Sequence, residues 1–221
     1  MPILGDLKDE VAKNPLCDGI VNALEPYVNG RLSSFNQQTN VDLKNKYTVI
    51  DVSKLSEDLL SVGMFVATTF ASENIEADRT EKKAIIFDEA WRVLNSSTDK
   101  SGAVGGYVQS IAKTIRGMGG SAIFATQDIK DLIKNDRALS ILTQCETKMI
   151  LKLEKSEAEL TQEIVGLSED EVHMIKKATK GFGLLCAGRN RIAITILASK
   201  MEHDLIDNYN ENGTKSKNKA S

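Results

Sequence analysis

The sequence is poor in cysteine and histidine, the residues on which disulfide-bonded and many metal-binding domains depend. Its 221 residues include three cysteines and two histidines. Cys17, Cys145 and Cys186 are far apart and odd in number, so they match neither a disulfide framework nor a metal-ligand spacing. His173 and His203 are too few for a histidine-based zinc site or a catalytic triad. We expect a chain from a reducing compartment whose chemistry depends on other side chains.

Long hydrophobic runs and a strong excess of charge are also lacking. The longest uncharged, apolar-rich run, residues 59–71, is well short of the ~20 residues that a membrane-spanning helix needs. Residues 1–10 have no basic start followed by an apolar segment, which argues against a secretory signal. A net charge of −3 argues against a surface that binds nucleic acid throughout. The sequence therefore favours a cytoplasmic location.

The phosphate-binding loop of the common nucleotide hydrolases is missing as well. The pattern G-x-x-x-x-G-K-[ST] occurs nowhere, and Gly213-Thr-Lys-Ser216 lacks the upstream glycine. The glycines of Gly117-Met-Gly-Gly120 match no phosphate motif, and we interpret them as a helix stop and a tight turn. Because the amides of such a loop hold the phosphates, the chain alone should bind ATP poorly and hydrolyse it hardly at all.

Short apolar runs alternate with helical patterns along the chain. Strands are predicted at residues 47–51, 84–87, 121–125 and 148–153, with a closing β-hairpin over residues 183–197. Helix starts are predicted at Asn14 with Pro15, at Ser53, and at two capping boxes, Ser156 with Glu159 and Ser168 with Glu171. This order predicts an α/β fold with a largely parallel sheet, in which ligands bind at the carboxyl ends of the strands.

An acidic pair follows the second predicted strand. Asp88 and Glu89 come directly after Ala-Ile-Ile-Phe87, which is the pattern of a Walker B strand. At that place Asp88 can hold Mg²⁺ through its waters, and Glu89 can polarise the water that attacks the γ-phosphate of ATP. The alternative is that Asp88 caps the next helix and Glu89 is a solvated acid in its first turn. Trp91, on that helix, is interpreted as a packing residue.

Polar residues also follow the third predicted strand. Thr126 and Gln127 stand where a side chain can touch the γ-phosphate or the attacking water and report the nucleotide state. The alternative is a helix start capped by Asp128. The two interpretations are compatible, with Gln127 as the sensor and Asp128 as the cap.

Three arginines are candidate phosphate or interface contacts. Arg116 lies just ahead of the third strand, where a guanidinium near a subunit boundary can neutralise charge on a neighbour's phosphate. A solvated cation at a helix end is the equal alternative. Arg189 and Arg191 lie in the turn of the closing hairpin, and the alternative for them is simple solvation.

Several longer motifs contain these residues. They are Phe87-Asp-Glu-Ala-Trp-Arg-Val-Leu94, Arg116-Gly, Phe124-Ala-Thr-Gln-Asp128, Thr143-Gln-Cys-Glu-Thr-Lys-Met-Ile-Leu-Lys152 and Gly181-Phe-Gly-Leu-Leu185, with Asn29-Gly-Arg-Leu, Phe35 and Thr39-Asn-Val-Asp42 upstream. Together they resemble the ATPases of conjugative transfer and type IV secretion, the VirB-four type. The resemblance covers about residues 1–207.

The resemblance implies a RecA-like, P-loop NTPase-type fold in three layers, of which the phosphate-loop strand and helix are missing here. Residues 1–207 are then the C-terminal portion of the motor domain, complete from Walker B onward, and residues 208–221 are a polar disordered tail. It implies ATP and Mg as ligands, with Asp88 at the metal, Glu89 at the water, Gln127 as the sensor and Arg116 at a subunit interface. It also implies a hexameric parent, other secretion-channel subunits as partners, and a place at the inner face of the cell membrane.

Two other functions remain open from the residues. One is a DNA translocase domain of the HerA or FtsK type, although residues 95–106 carry only Lys100 against Asp99 and so do not form a basic loop. The other is a non-catalytic RecA-like module that binds a partner subunit. The missing loop favours such a module, whereas Asp88, Glu89 and Gln127 argue against it. We also expect self-association, because removal of a core strand exposes apolar sheet surface.

Overall fold

The computed structural model describes residues 2–38, 45–89, 94 and 102–205. The chain divides into two compact units, Met1–Phe70 and Ala71–Ser221. The predicted helix from about Ala90, Trp91, most of the loop over residues 95–106 and the tail from Asn208 lie outside the described residues.

Two helices begin the first unit. Helix α1 is Leu4–Val11 and helix α2 is Asp18–Val28, and an ion pair between Lys8 and Glu25 joins them. Hydrogen bonds from Lys8 and Asn29 lower the pKa of the Glu25 carboxyl. The predicted start at Asn14 is confirmed, because Asn14 Oδ1 accepts a hydrogen bond from Leu16 N at 3.1 Å and opens a short 3-10 turn ahead of α2.

The predicted strand at residues 47–51 is wrong. This segment has no ladder partner among the described residues, and Tyr47 and Val49 are 80% and 71% exposed. A sequence rich in β-branched residues forms a strand only where its backbone can form hydrogen bonds with a neighbouring strand. The predicted cap at Ser53 is wrong too. Ser53 N donates to Asp51 Oδ1 at 2.9 Å in a local turn, and helix α3 begins later, as Glu57–Ala77.

A parallel strand pair forms the first sheet of the second unit. Strand β1 is Lys83–Phe87, helix α4 is Ala103–Thr114 and strand β2 is Gly120–Phe124. The strands pair in parallel from Lys83 opposite Gly120 to Phe87 opposite Phe124. Ile75, Ile111 and Ile115 form a small buried core beside them. Both strands agree with the prediction to within one residue at each end.

An antiparallel sheet follows in the same unit. Its elements in chain order are α5 Ile129–Ile133, α6 Asp136–Gln144, β3 Thr147–Ile150, α7 Lys155–Val165, α8 Glu169–Lys177, β4 Phe182–Ala187 and β5 Asn190–Thr195. Strand β4 pairs antiparallel with both β3 and β5, so the predicted closing hairpin is confirmed. Ile150, Leu184 and Cys186 pack on α7 and α8 through Ala158 and Ile175.

The α/β class is therefore confirmed, with its strands divided between two sheets. Parallel pairing among the described residues is confined to β1 and β2. Strand β4 lies antiparallel to β3, and the two short helices that connect them, α7 and α8, pack on one face of the sheet. Within the described ranges, no helix combines the length and apolar character that a membrane span needs.

One of the two predicted capping boxes is confirmed. Ser168 Oγ accepts a hydrogen bond from Glu171 N at 3.3 Å, and Ser168 N donates to Glu171 Oε2 at 2.7 Å. The box predicted at Ser156 is wrong, because α7 is capped two residues earlier, by Glu154, whose N donates to Glu157 Oε2 at 3.4 Å. Ser156 is thus already inside the helix.

The two serines provide a matched test of these caps. We expect Ser168→Ala to lower the free energy of unfolding by about 1 kcal/mol, since it removes the acceptor for an N-terminal amide. Ser156→Ala should change it by less than about 0.5 kcal/mol. Urea unfolding of both variants measures the difference. An equal loss in Ser156→Ala would show that α7 begins at that residue instead.

Candidate functional site

Strands β1 and β2 end side by side. Their last residues, Phe87 and Phe124, are opposite each other in the ladder, and the two rings stack with centroids 5.0 Å apart and planes 5° apart. Ala125 N donates a hydrogen bond to Phe87 O at 2.9 Å, which continues the pairing past the end of β2. The register of the two strands is therefore fixed up to the point where each leaves the sheet.

This register brings the two predicted polar pairs to one edge. Asp88 and Glu89 follow β1, while Thr126 and Gln127 follow Ala125 at the end of β2. Neighbouring strands lie about 4.8 Å apart, so side chains from both ends can reach one ligand. Asp88, Thr126 and Gln127 are exposed and Glu89 is partly buried. In the described part of the chain, neither Asp88 nor Gln127 has a side-chain hydrogen bond.

Asp128 takes the capping position predicted for it. Its Oδ1 accepts a hydrogen bond from Lys130 N at 2.7 Å in the first turn of α5. Thr126 Oγ1 accepts from Asp128 N at 3.2 Å, which tightens the turn between β2 and α5. Gln127 lies at this turn with its side chain exposed. The cap at Asp128 thus leaves the Gln127 amide available to a ligand.

The backbone at Glu89 has a left-handed conformation, with φ of 51°. Side chains other than those of asparagine and aspartate rarely occur in this region, because Cβ approaches a carbonyl oxygen. The acidic pair is thus placed by a strained turn as well as by the strand that precedes it.

Arg116 does not lie at this edge. It belongs to a 3-10 turn, Ile115–Met118, that leads into the amino end of β2 through Gly119. Strand β2 spans Gly120–Phe124, and at about 3.3 Å per residue its two ends are about 13 Å apart. The exposed guanidinium is therefore at the opposite edge of the sheet from Asp88. Gly119, with φ of 81°, forms the tight turn predicted for the glycines here.

The two hairpin arginines differ in their surroundings. Arg191 Nη2 donates to Val165 O at 3.0 Å, and its Nη1 lies 3.6 Å from Glu171 Oε2, so this side chain joins β5 to α7 and α8. Arg189 is exposed in the turn, with no side-chain partner in the described ranges. Of the two, Arg189 is the one whose guanidinium is available to a phosphate.

Metal binding at the strand ends would depend on few protein ligands. Among the described residues, no group of three or more histidine, cysteine, aspartate or glutamate side chains could hold an ion. Mg²⁺ is commonly bound by one or two carboxylates together with waters and substrate phosphates. The exposed carboxylate of Asp88, beside Glu89, fits that arrangement and does not fit an all-protein metal cage.

Cysteine chemistry is disfavoured at two of the three thiols. Burial raises the pKa of both Cys145 and Cys186. A raised pKa keeps a thiol protonated at neutral pH, and the thiolate is the reactive form.

Sequence reasoning missed the stacked phenylalanines and the contacts of Arg191 with Val165 and Glu171. A signal for the first was present, because Phe87 directly precedes Asp88 and Phe124 lies two residues ahead of Thr126. The partners of Arg191, Val165 and Glu171, are distant in sequence, and no local pattern points to them.

The chain is similar to several known proteins. The family model described as the TraG P-loop domain matches residues 8–181. Type IV secretion system protein virB4 of Bartonella quintana is 25% identical over 164 residues, which are 72% of this chain and 20% of that protein. The protein of the same name from Bartonella henselae is 32% identical over 92 residues, 42% of this chain and 11% of that protein.

A solved structure is also similar. The structure of VirB4 of Thermoanaerobacter pseudethanolicus superposes with a TM-score of 0.73 and 25% sequence identity, over 91% of this chain and 56% of that one. The chain spans 20% or less of the length of the two curated relatives.

Proposed function

The chain belongs to the TraG P-loop domain family and is of the VirB4 type, and we propose that it is the Walker B half of an ATPase that powers conjugative transfer or type IV secretion. The observation that carries this proposal is the shared edge of β1 and β2. There Asp88 and Glu89, which follow one strand, lie at the same edge as Thr126 and Gln127, which follow the next. ATP hydrolysis by such a motor drives assembly of a channel or pilus and the transfer of substrate.

Each residue at this edge has a role in the proposal. Asp88 would hold Mg²⁺, through water, and the ion would neutralise charge on the phosphates of ATP. Glu89 orients the attacking water and accepts its proton. Thr126 contacts the phosphates, and Gln127 senses whether the γ-phosphate is present. These roles need side chains that are accessible at the strand ends, as those of Asp88 and Gln127 are.

The arginines are assigned by their positions. Arg116, in the turn ahead of the amino end of β2, is proposed to serve a neighbouring subunit's nucleotide, because the strand ends of its own chain lie at the opposite edge of the sheet. Arg189 is proposed as a phosphate or interface contact. Arg191 is assigned the structural contacts with Val165 and Glu171.

The wider assembly is proposed from the family. Residues 1–207 correspond to the C-terminal portion of a RecA-like motor domain. Partners are further copies, hexameric in the parent motor, and other subunits of the secretion channel. The complex would lie at the cytoplasmic face of the cell membrane. Direct contact with DNA is an outcome to be tested by salt-dependent binding and is not part of the proposal.

Hydrolysis with and without a phosphate-binding loop tests this function. We expect no measurable turnover of Mg-ATP by the chain alone, and turnover by an extended version that carries a phosphate-binding loop ahead of residue 1. Phosphate release is the readout. Turnover by the chain alone would show that the loop is not needed. If neither form is active, the Walker B interpretation loses its catalytic meaning, and a non-catalytic module that binds a partner subunit becomes the better account.

A further inference from the structure

The left-handed backbone at Glu89 is unusual within this chain as well as in general. The other described residues with positive φ are all glycines: Gly102, Gly119, Gly166, Gly181 and Gly188. Glycine adopts this region without steric cost, because it has no Cβ. Wherever else the described chain needs a left-handed turn, the sequence therefore supplies a glycine.

The end of strand β1 has a turn of this kind. Phe87 is fixed opposite Phe124, and the hydrogen bond from Ala125 N to Phe87 O holds its carbonyl. The chain must then leave the sheet within the next two residues, both of which lie in a turn. A glycine at position 89 would make this turn more easily than a glutamate. A glutamate in a turn that favours glycine points to a use for its side chain.

We propose that Glu89 is a positioning device: its strained left-handed backbone sets the direction in which the carboxylate leaves the strand end, at a cost in stability. The inference of strain rests on geometry alone, whereas the use of the carboxylate rests on the proposed function. Strained backbone persists where the surrounding structure holds it, and it is concentrated at functional sites. Such sites commonly sacrifice stability for activity.

A comparison of the melting temperatures with glycine and with alanine at position 89 tests the strain. In an ordinary conformation, glycine is less stabilising than alanine, because it loses more conformational freedom on folding. At a left-handed residue the order reverses. We expect the 221-residue chain with Glu89→Gly to melt about 2–4 °C above the chain with Glu89→Ala. Glu89→Asn should likewise melt above Glu89→Gln, since asparagine tolerates this conformation.

Asp88 is the matched control, because it is the preceding residue and its φ is not positive. There Asp88→Ala should melt above Asp88→Gly, by about 1–4 °C. If alanine is the better residue at both positions, Glu89 is not strained and the inference is wrong. This outcome is independent of ATP hydrolysis, so it leaves the proposed function standing.

A kinetic variant tests whether the position of the carboxylate matters. In the loop-containing extended version, Glu89→Asp keeps the charge and tolerates the left-handed region, but it withdraws the carboxyl group by one methylene. We expect kcat to fall at least about tenfold, with KM for ATP unchanged. Unchanged kcat in Glu89→Asp would overturn the positioning role. Unchanged kcat in Glu89→Gln would instead contradict the proposed function, whatever the melting temperatures show.

Discussion

Replacement of Glu89 by glutamine is expected to lower kcat for ATP hydrolysis by about 10²–10⁴-fold in the loop-containing extended version. The amide has nearly the same shape as the carboxylate, but it cannot accept a proton from the attacking water. Binding of ATP should persist, because the phosphates are held mainly by the loop and by Mg²⁺. Phosphate release and the affinity for a fluorescent ATP analogue, measured on the same protein, separate the two effects.

Glu73→Gln is the matched control for this variant. Glu73 is an exposed glutamate on helix α3, away from both strand ends in sequence. Glu73→Gln should leave kcat and the KM for ATP unchanged. If Glu89→Gln and Glu73→Gln behave alike, the acidic pair has no part in hydrolysis. If Glu89→Gln abolishes ATP binding as well as turnover, Glu89 acts in nucleotide or metal binding and not on the water.

The location of the site could be predicted from the sequence because it depends on a property that all parallel sheets share. Apolar strands followed by Asp88-Glu89 and by Thr126-Gln127 predict polar groups at one sheet edge, provided that the strands are neighbours and parallel. The structure meets both conditions. The Gly119 turn and the Ser168 cap were predictable for a similar reason, since each depends on residues within a few positions of itself.

Features that depend on distant partners could not be predicted in this way. Residues 47–51 have the composition of a strand, yet a strand needs a neighbour, and the sequence does not say which segments pair. The contact of Arg191 with Val165 spans 26 positions. The left-handed conformation of Glu89 is hidden for the opposite reason, because the local preference of a glutamate argues against it.

The strand ends are held together by Phe87 and Phe124, which are distant in sequence. The geometry of the site should therefore depend most on Phe87. We expect Phe87→Ala to lower the free energy of unfolding by about 3–5 kcal/mol, since it removes a buried ring and its stacking partner's contacts. That is a large share of the roughly 5–15 kcal/mol that holds a typical domain together. Urea unfolding gives the loss from the shift in midpoint, provided that the m-value is unchanged.

Ile86→Ala, one residue earlier on β1, is the control for Phe87→Ala. Ile86 is 61% exposed, so its truncation should cost less than about 1 kcal/mol. A small loss in both variants would show that the stacked pair does not fix the strand ends. A large loss in Ile86→Ala would show that its face of β1 is covered in solution. A midpoint that rises with protein concentration would then identify the cover as a second copy, as the predicted self-association requires, because binding to the folded form stabilises it by mass action.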